Sequence, residues 1–236
     1  MLCIIGLGLN EEGISKEGLE AIKRCKKVYL ESYTAELPYS VEKIAEIIDK
    51  KIIPADREFV ESCKIVDEAK KMNVALLVYG SPLSATTHIT LIQEAKKMKI
   101  KCRVIYSASI FDAIAETGLQ PYKFGKTTSI PEWTADYKPE SFAELIMENQ
   151  KINAHTLLLV NPGMDLTKAL NQLEIACNNY EVKLDKIVIC SRLGTNEKRV
   201  VYGLLESVKK IKIDAPFCII IPGKLHFVEE EVLESF

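Results

Sequence analysis

Four short segments of this 236-residue chain carry residue types suited to chemistry, and each follows an apolar run. The first is Gly6-Leu7-Gly8-Leu9. Its glycines permit a tight turn and a close backbone approach to a ligand. A dinucleotide fingerprint needs a third glycine where Glu11 stands, and Gly13 comes too late. The segment serves equally as a plain strand-to-helix turn or as one wall of a small-molecule site. The second runs from Gly80 to His88 and holds Ser81, Ser84, Thr86 and Thr87 behind a Gly-x-Pro turn. Thr86 or Thr87 can cap the next helix. The remaining hydroxyls exceed what a turn requires and point to a binding loop. The third, Ser107-Ala108-Ser109-Ile110, fits a serine N-cap. The fourth, Ile221-Pro222-Gly223-Lys224-Leu225-His226, is no phosphate loop, because the upstream glycine and the following hydroxyl are missing. His226 alone reads as structural, yet it too follows a strand's end.

Other candidates are weaker. His88, His155 and His226 are too scattered for a metal site. No Gly-x-Ser-x-Gly nucleophile elbow occurs. Arg192-Leu193-Gly194-Thr195 and Lys198-Arg199 put basic residues in a loop that could face an anionic partner, although a solvated loop is the default. The acidic run Glu229-Glu230-Glu231 reads as a solvated helix face. No residue stands out as a general base.

The elements that must position these segments alternate in period. Short, nearly unalternated apolar runs predict buried strands over 2–5, 28–30, 74–79, 103–106, 156–160, 186–190 and 217–221. Amphipathic stretches predict helices over 16–25 (capped by Ser15), 41–48, 62–72, 89–99, 110–117, 141–149 and 166–178. Such alternation is the pattern of an α/β protein with mainly parallel strands. Neither period survives across 118–138, which holds Pro121, Gly125, Pro131 and Trp133. That stretch marks a junction between two subdomains, placed at 1–112 and 113–236.

A 47% hydrophobic and 27% charged composition excludes intrinsic disorder. The formal charge of −2 gives no sign of a nucleic-acid-coating surface. Seven cysteines, odd in number and without a Cys-x-x-Cys, read as small core hydrophobes. With no signal peptide and no apolar run of membrane length, a reducing cytoplasm is expected.

In order and spacing the segments resemble the diphthine synthases, almost end to end. The resemblance is carried by Ile5–Leu9, by Val28-Tyr29-Leu30-Glu31-Ser32-Tyr33-Thr34, and by Gly80-x-Pro82-Leu83-x-Ala85-Thr86-Thr87-His88. Ser109-Ile110, Thr117–Lys126, His155-Thr156-Leu157-Leu158 and Ile221–His226 complete it. It implies the tetrapyrrole-methylase-like fold of class III methyltransferases, with two α/β subdomains, S-adenosylmethionine in the cleft between them, and a homodimer. It also implies repeated methylation of the amino group of a carboxypropyl-modified histidine on translation elongation factor 2. Cofactor contacts would fall on Leu9, Ser81, Ser84, Ser109, Ile110, Val160, Leu193 and His226. Two departures stand out: Ser81 replaces the family's usual Asp, and Val160-Asn161-Pro162-Gly163 replaces Leu-Asp-Ile-Lys. The alternatives are a same-fold methyltransferase acting on a small molecule or ribosomal RNA, and a non-catalytic relative that only binds S-adenosylmethionine.

Overall fold

Residues 1–236 are described by a computed structural model. Backbone contacts divide them into Met1–Phe111 and Asp112–Phe236. In the first unit, β1 (Leu2–Gly6), β2 (Lys27–Glu31), β3 (Ile52–Ala55), β4 (Val74–Val78) and β5 (Cys102–Ile105) form one sheet. The order is β3-β2-β4-β1-β5 and every pair is parallel. Parallel neighbours need crossover connections, and these cover both faces. Cys3, Ile5, Val28, Leu30, Ala75 and Leu77 pack against α1 (Lys16–Lys23) and α2 (Val41–Ile48), through Ile22 and Ile44. Leu2, Ile4, Leu76 and Val78 face the other way, toward α3 (Arg57–Glu61), α4 (Lys64–Ala69) and α5 (Ile89–Lys97). Burial on both sides removes any reason for polar alternation, which is why β1 and β4 read as unbroken apolar runs. Ser15 caps α1, its hydroxyl accepting from the Gly18 N–H at 3.0 Å.

The second unit also carries five strands: β6 (Thr128–Ile130), β7 (Thr156–Val160), β8 (Lys186–Ser191), β9 (Arg199–Leu204) and β10 (Phe217–Ile221). The order is β6-β7-β10-β8-β9, and only β6 and β7 run parallel. α7 (Ser141–Lys151), α8 (Leu166–Asn179) and α9 (Leu205–Val208) cover one face, where Phe142, Ile146, Leu170 and Leu173 meet Leu158, Ile187, Ile189 and Ile219. α6 (Ile110–Ala113) continues into a 3-10 turn ending at Gly118. There the chain meets α10 (Phe227–Leu233), and a Cβ on Gly118 would come within 2.4 Å of Val232. β10 is inserted antiparallel between β7 and β8, with Ile221 opposite Thr156 and Phe217 opposite Ser191. The carboxyl ends of β7 and β8 therefore share one edge, and that of β10 lies at the other.

The α/β class expected from the pattern is present in both units, one sheet parallel and one mixed. The strands β3, β6 and β9 are additional to those the periodicity predicts. The helix expected over 62–72 is shorter, because Cys63 adopts the left-handed conformation (φ 61°) and separates α3 from α4. All seven cysteines are free; five are buried, and Cys63 and Cys102 are half-buried. No helix is long and apolar enough to cross a membrane.

Candidate functional site

In the first unit the parallel strands deliver three of the chemical segments to one edge. β1 runs into Gly6–Leu9, β4 into Gly80–His88 and β5 into Ser107–Ile110. The first two are fastened together: Gly8 donates to the Gly80 carbonyl at 3.2 Å, and Gly80 donates back at 2.9 Å. Gly8 and Gly80 have φ of +74° and +73°, the region where side chains strain the backbone. A Cβ on Gly6 would lie 2.6 Å from the Gly80 carbonyl oxygen. The Ser107 hydroxyl donates to the Gly13 carbonyl at 2.8 Å and ties in the third segment.

The loop after β4 is braced from inside. Buried His88 donates from Nδ1 to the Pro82 carbonyl at 3.0 Å and accepts at Nε2 from the Tyr33 hydroxyl at 3.4 Å. Thr86 donates to the same carbonyl at 2.7 Å. Neither Thr86 nor Thr87 is the N-cap of α5, contrary to expectation. The position falls to His88, in helical conformation without a side-chain cap bond, because the Thr86 hydroxyl is spent inside the loop. Glu31, buried at the end of β2, accepts from the Thr34 hydroxyl at 2.5 Å and from the Tyr33 and Thr34 N–H groups at 3.2 Å. That sets the turn from which Tyr33 reaches His88. The Ser81 and Ser84 hydroxyls are left over: no group of the chain bonds to either. Ser109 is buried and accepts from the Phe111 N–H at 3.2 Å, an N-cap geometry. Leu9 is buried and Ile110 half-buried at the same edge.

In the second unit the expected residues do not share one edge. Val160 ends β7, and buried Leu193 follows β8, so these two lie together. His226 follows β10, whose end is registered against Thr156 at the start of β7. The two strand ends are offset by the length of β7, about 13 Å at roughly 3.3 Å per residue. His226 does follow a strand's end, as expected, but at the opposite edge of the sheet, because β10 is reversed.

His226 is exposed and is the N-cap of α10, with Nδ1 accepting from the Val228 N–H at 3.4 Å. In return, Glu229 Oε2 accepts from the His226 N–H at 2.7 Å. This overturns the reading of Glu229-Glu230-Glu231 as a solvated face. Glu230 and Glu231 are exposed, but Glu229 is wholly buried. Its carboxylate also takes the Gln120 N–H at 2.9 Å, His155 Nε2 at 3.1 Å and the Lys123 ammonium. Burial alone would raise this carboxyl; the backbone donors at His226 and Gln120, with Lys123 and His155, outweigh it and bring the pKa down to about 2. His155, also fully buried, is held below its usual value by burial, against the pull of Glu229. Its Nδ1 accepts from the Gly223 N–H at 2.9 Å, which places the ring proton on Nε2. Lys123 also donates to the Lys224 carbonyl at 2.8 Å. Sequence reasoning missed Glu229. The available signal was its place three residues after an N-cap, obscured because His stands where Ser or Thr is usual.

His88 and His155 have both ring nitrogens engaged in hydrogen bonds. The basic loop is likewise occupied. Arg192 pairs with Glu197 and donates to the Ala215 carbonyl; Lys198 pairs with Glu116; Arg199 begins β9 and donates to the Lys212 carbonyl. Each of these basic groups thus has a partner within the chain.

Comparison with known proteins agrees with this arrangement. Residues 1–209 match the Tetrapyrrole (Corrin/Porphyrin) Methylases. The diphthine synthase of Methanocaldococcus jannaschii is 39% identical over 251 residues, covering 99% of this chain and 98% of that protein. The diphthine methyl ester synthase of Bos taurus is 35% identical over 270 residues, covering 100% of this chain and 95% of that protein. A crystal structure of a diphthine synthase superposes with a TM-score of 0.90 at 34% identity, covering 100% of this chain and 95% of that one. With hydroxyl-bearing loops at a parallel-sheet edge and full-length likeness to these enzymes, the chain belongs to the tetrapyrrole methylase family and, within it, to the diphthine synthases: it is a methyltransferase.

Proposed function

We propose that the chain transfers methyl groups from S-adenosylmethionine to the amino group of the carboxypropyl-modified histidine of translation elongation factor 2. It does so repeatedly, as a cytoplasmic homodimer. The observation that carries this reading is the 39% identity to the archaeal diphthine synthase over nearly the whole of both chains. When bound, S-adenosylmethionine supplies an electrophilic methyl group on a sulfonium, and the electron pair of the breaking carbon–sulfur bond stays with sulfur.

The residues present fit such a group. An amino acid joined to a nucleoside offers hydroxyl, amine and carboxylate groups that hydroxyl and backbone partners can meet. The Ser81 and Ser84 hydroxyls have no partner in the chain, and the Gly8–Gly80 pair keeps the neighbouring backbone bare. The contacts proposed for it are Leu9, Ser81, Ser84, Ser109, Ile110, Val160, Leu193 and His226. The chain's part is to orient the two reactants and exclude water. A primary amine gives up a proton at each of its first two methylations.

The test is transfer of labelled methyl from S-adenosylmethionine to the purified carboxypropyl-modified factor. Label on the factor is expected, with one S-adenosylhomocysteine formed per methyl. Label resisting alkali marks amine methylation, whereas alkali-released label marks an ester, the product that the name of the Bos taurus relative describes. Tight S-adenosylhomocysteine binding with no label on the factor overturns the substrate. Label on a tetrapyrrole instead replaces it with a small molecule.

A further inference from the structure

The turn Pro222–His226 is held from three sides by side chains distant in sequence. The Gly223 N–H donates to His155 Nδ1 at 2.9 Å, the Lys224 carbonyl accepts from Lys123 at 2.8 Å, and the His226 N–H donates to Glu229 at 2.7 Å. The three holders are themselves joined, since Lys123 and His155 both end on the Glu229 carboxylate. On the opposite side the turn is wedged. A Cβ on Gly223 would come within 2.5 Å of the Asn153 and Ala154 carbonyl oxygens. Burying a carboxylate is a poor way to gain stability, because desolvation offsets most of the attraction. A carboxylate facing only donors does something apolar packing cannot: it fixes positions to within hydrogen-bond tolerance. The residue this anchoring carries is His226, which is exposed and whose Nδ1 is committed to the Val228 N–H.

We propose that Glu229 is a positioning residue for the methyl-donor site: through the His226 backbone it sets where the His226 imidazole stands, with Lys123 and His155 locking the carboxylate in place. The proposal rests on the reading that His226 contacts the cofactor. Glu229 acts on the ligand only through that contact.

A double-mutant cycle on the full chain tests it, with S-adenosylhomocysteine affinity measured by calorimetry and folding followed by circular dichroism. Glu229→Gln leaves donors facing a donor and should weaken binding roughly tenfold to a hundredfold. In the His226→Ala background the same substitution should change affinity less than twofold, because nothing remains to be positioned. Gly223→Ala pushes the same turn from its other side without touching the carboxylate. It should also weaken binding in the parent and be silent beside His226→Ala, which keeps the test open if Glu229→Gln does not fold. Equal losses in both backgrounds, by either route, would make the network merely structural and overturn the proposal while leaving His226 on the ligand. A His226→Ala variant that binds as the parent does removes His226 from the site, and both the reading and the proposal fall.

Discussion

The two units solve the same problem differently. In the first, every strand is parallel, so the carboxyl ends of β1, β4 and β5 arrive at one edge and their loops meet there. Glycines do the fastening there, through the Gly8–Gly80 pair and the contact of Gly6 with the Gly80 carbonyl. In the second, β10 is reversed and its turn leaves the sheet beside the start of β7. That turn has no neighbouring loop of the same kind to lean on. It is held by a buried carboxylate, an imidazole and an ammonium instead. Parallel topology brings the first unit's loops to one edge, where Glu31, Tyr33 and His88 brace only the β4 loop, whereas the turn after the antiparallel β10 is placed by Glu229, His155 and Lys123.

The largest expected effect breaks the glycine fastening. Gly6→Ala forces a methyl against backbone and should cost about 3 kcal/mol or more in urea unfolding followed by circular dichroism. Gly163→Ala, at φ +85° with open space around it, should cost only about 1 kcal/mol, read by Trp133 fluorescence. Similar costs at the two sites would refute the claim that close approach, not torsion alone, pins the first unit's edge.

Next comes acid. His155 and Glu229 both have native pKa values below their ordinary ones, so the unfolded chain binds protons that the folded chain refuses. Stability should fall with pH below 6.5 through His155 and again from 4.5 toward 2 through Glu229. The slope is at most about 1.4 kcal/mol per pH unit for each group. Thermal unfolding of His155→Gln, monitored at Trp133, should lose the upper part of this dependence; an unchanged profile would clear the network of the effect.

Smaller still is the ligand edge of the first unit. Ser81→Asp should raise S-adenosylmethionine affinity roughly tenfold, or about 1.4 kcal/mol, by a charge-assisted hydrogen bond. Ser81→Ala should lower it a few-fold, and calorimetry that finds neither change takes Ser81 off the ligand. The smallest effect belongs to Lys198→Ser. Its ammonium is already paired with Glu116, so KM for the elongation factor should move less than twofold. A tenfold rise would return the basic loop to substrate recognition.

What the sequence discloses follows burial. β7 and β10 were readable residue for residue because they are interior strands with apolar side chains on both faces. β3, β6 and β9 all lie at sheet edges, where that run disappears. β3 contains Pro54, tolerated only at an edge; β6 has three residues before Pro131; β9 is half-exposed along most of its length. The Ser81 and Ser84 loop was legible because hydroxyls in excess of capping needs are visible in one segment. The Glu229 network was not. Its members are contributed from residues 120–123, 155 and 223–229, and only the reversal of β10, which no local pattern encodes, brings them together.

The central position of β10 also bears on how the molecule is made. Synthesis runs from the N-terminus, so all strands of the first sheet are available once Phe111 has emerged. The second sheet then has β6 with β7 and β8 with β9, two ribbons lacking the strand that joins them. Until β10 slides in, both ribbons present unpaired edges, and Lys123 and His155 have no carboxylate to meet. The last strand to arrive closes the sheet, and α10 behind it brings Glu229 into place. The nascent second half is thus exposed to mispairing until β10 and α10 have been made, while the first half already has every strand it needs.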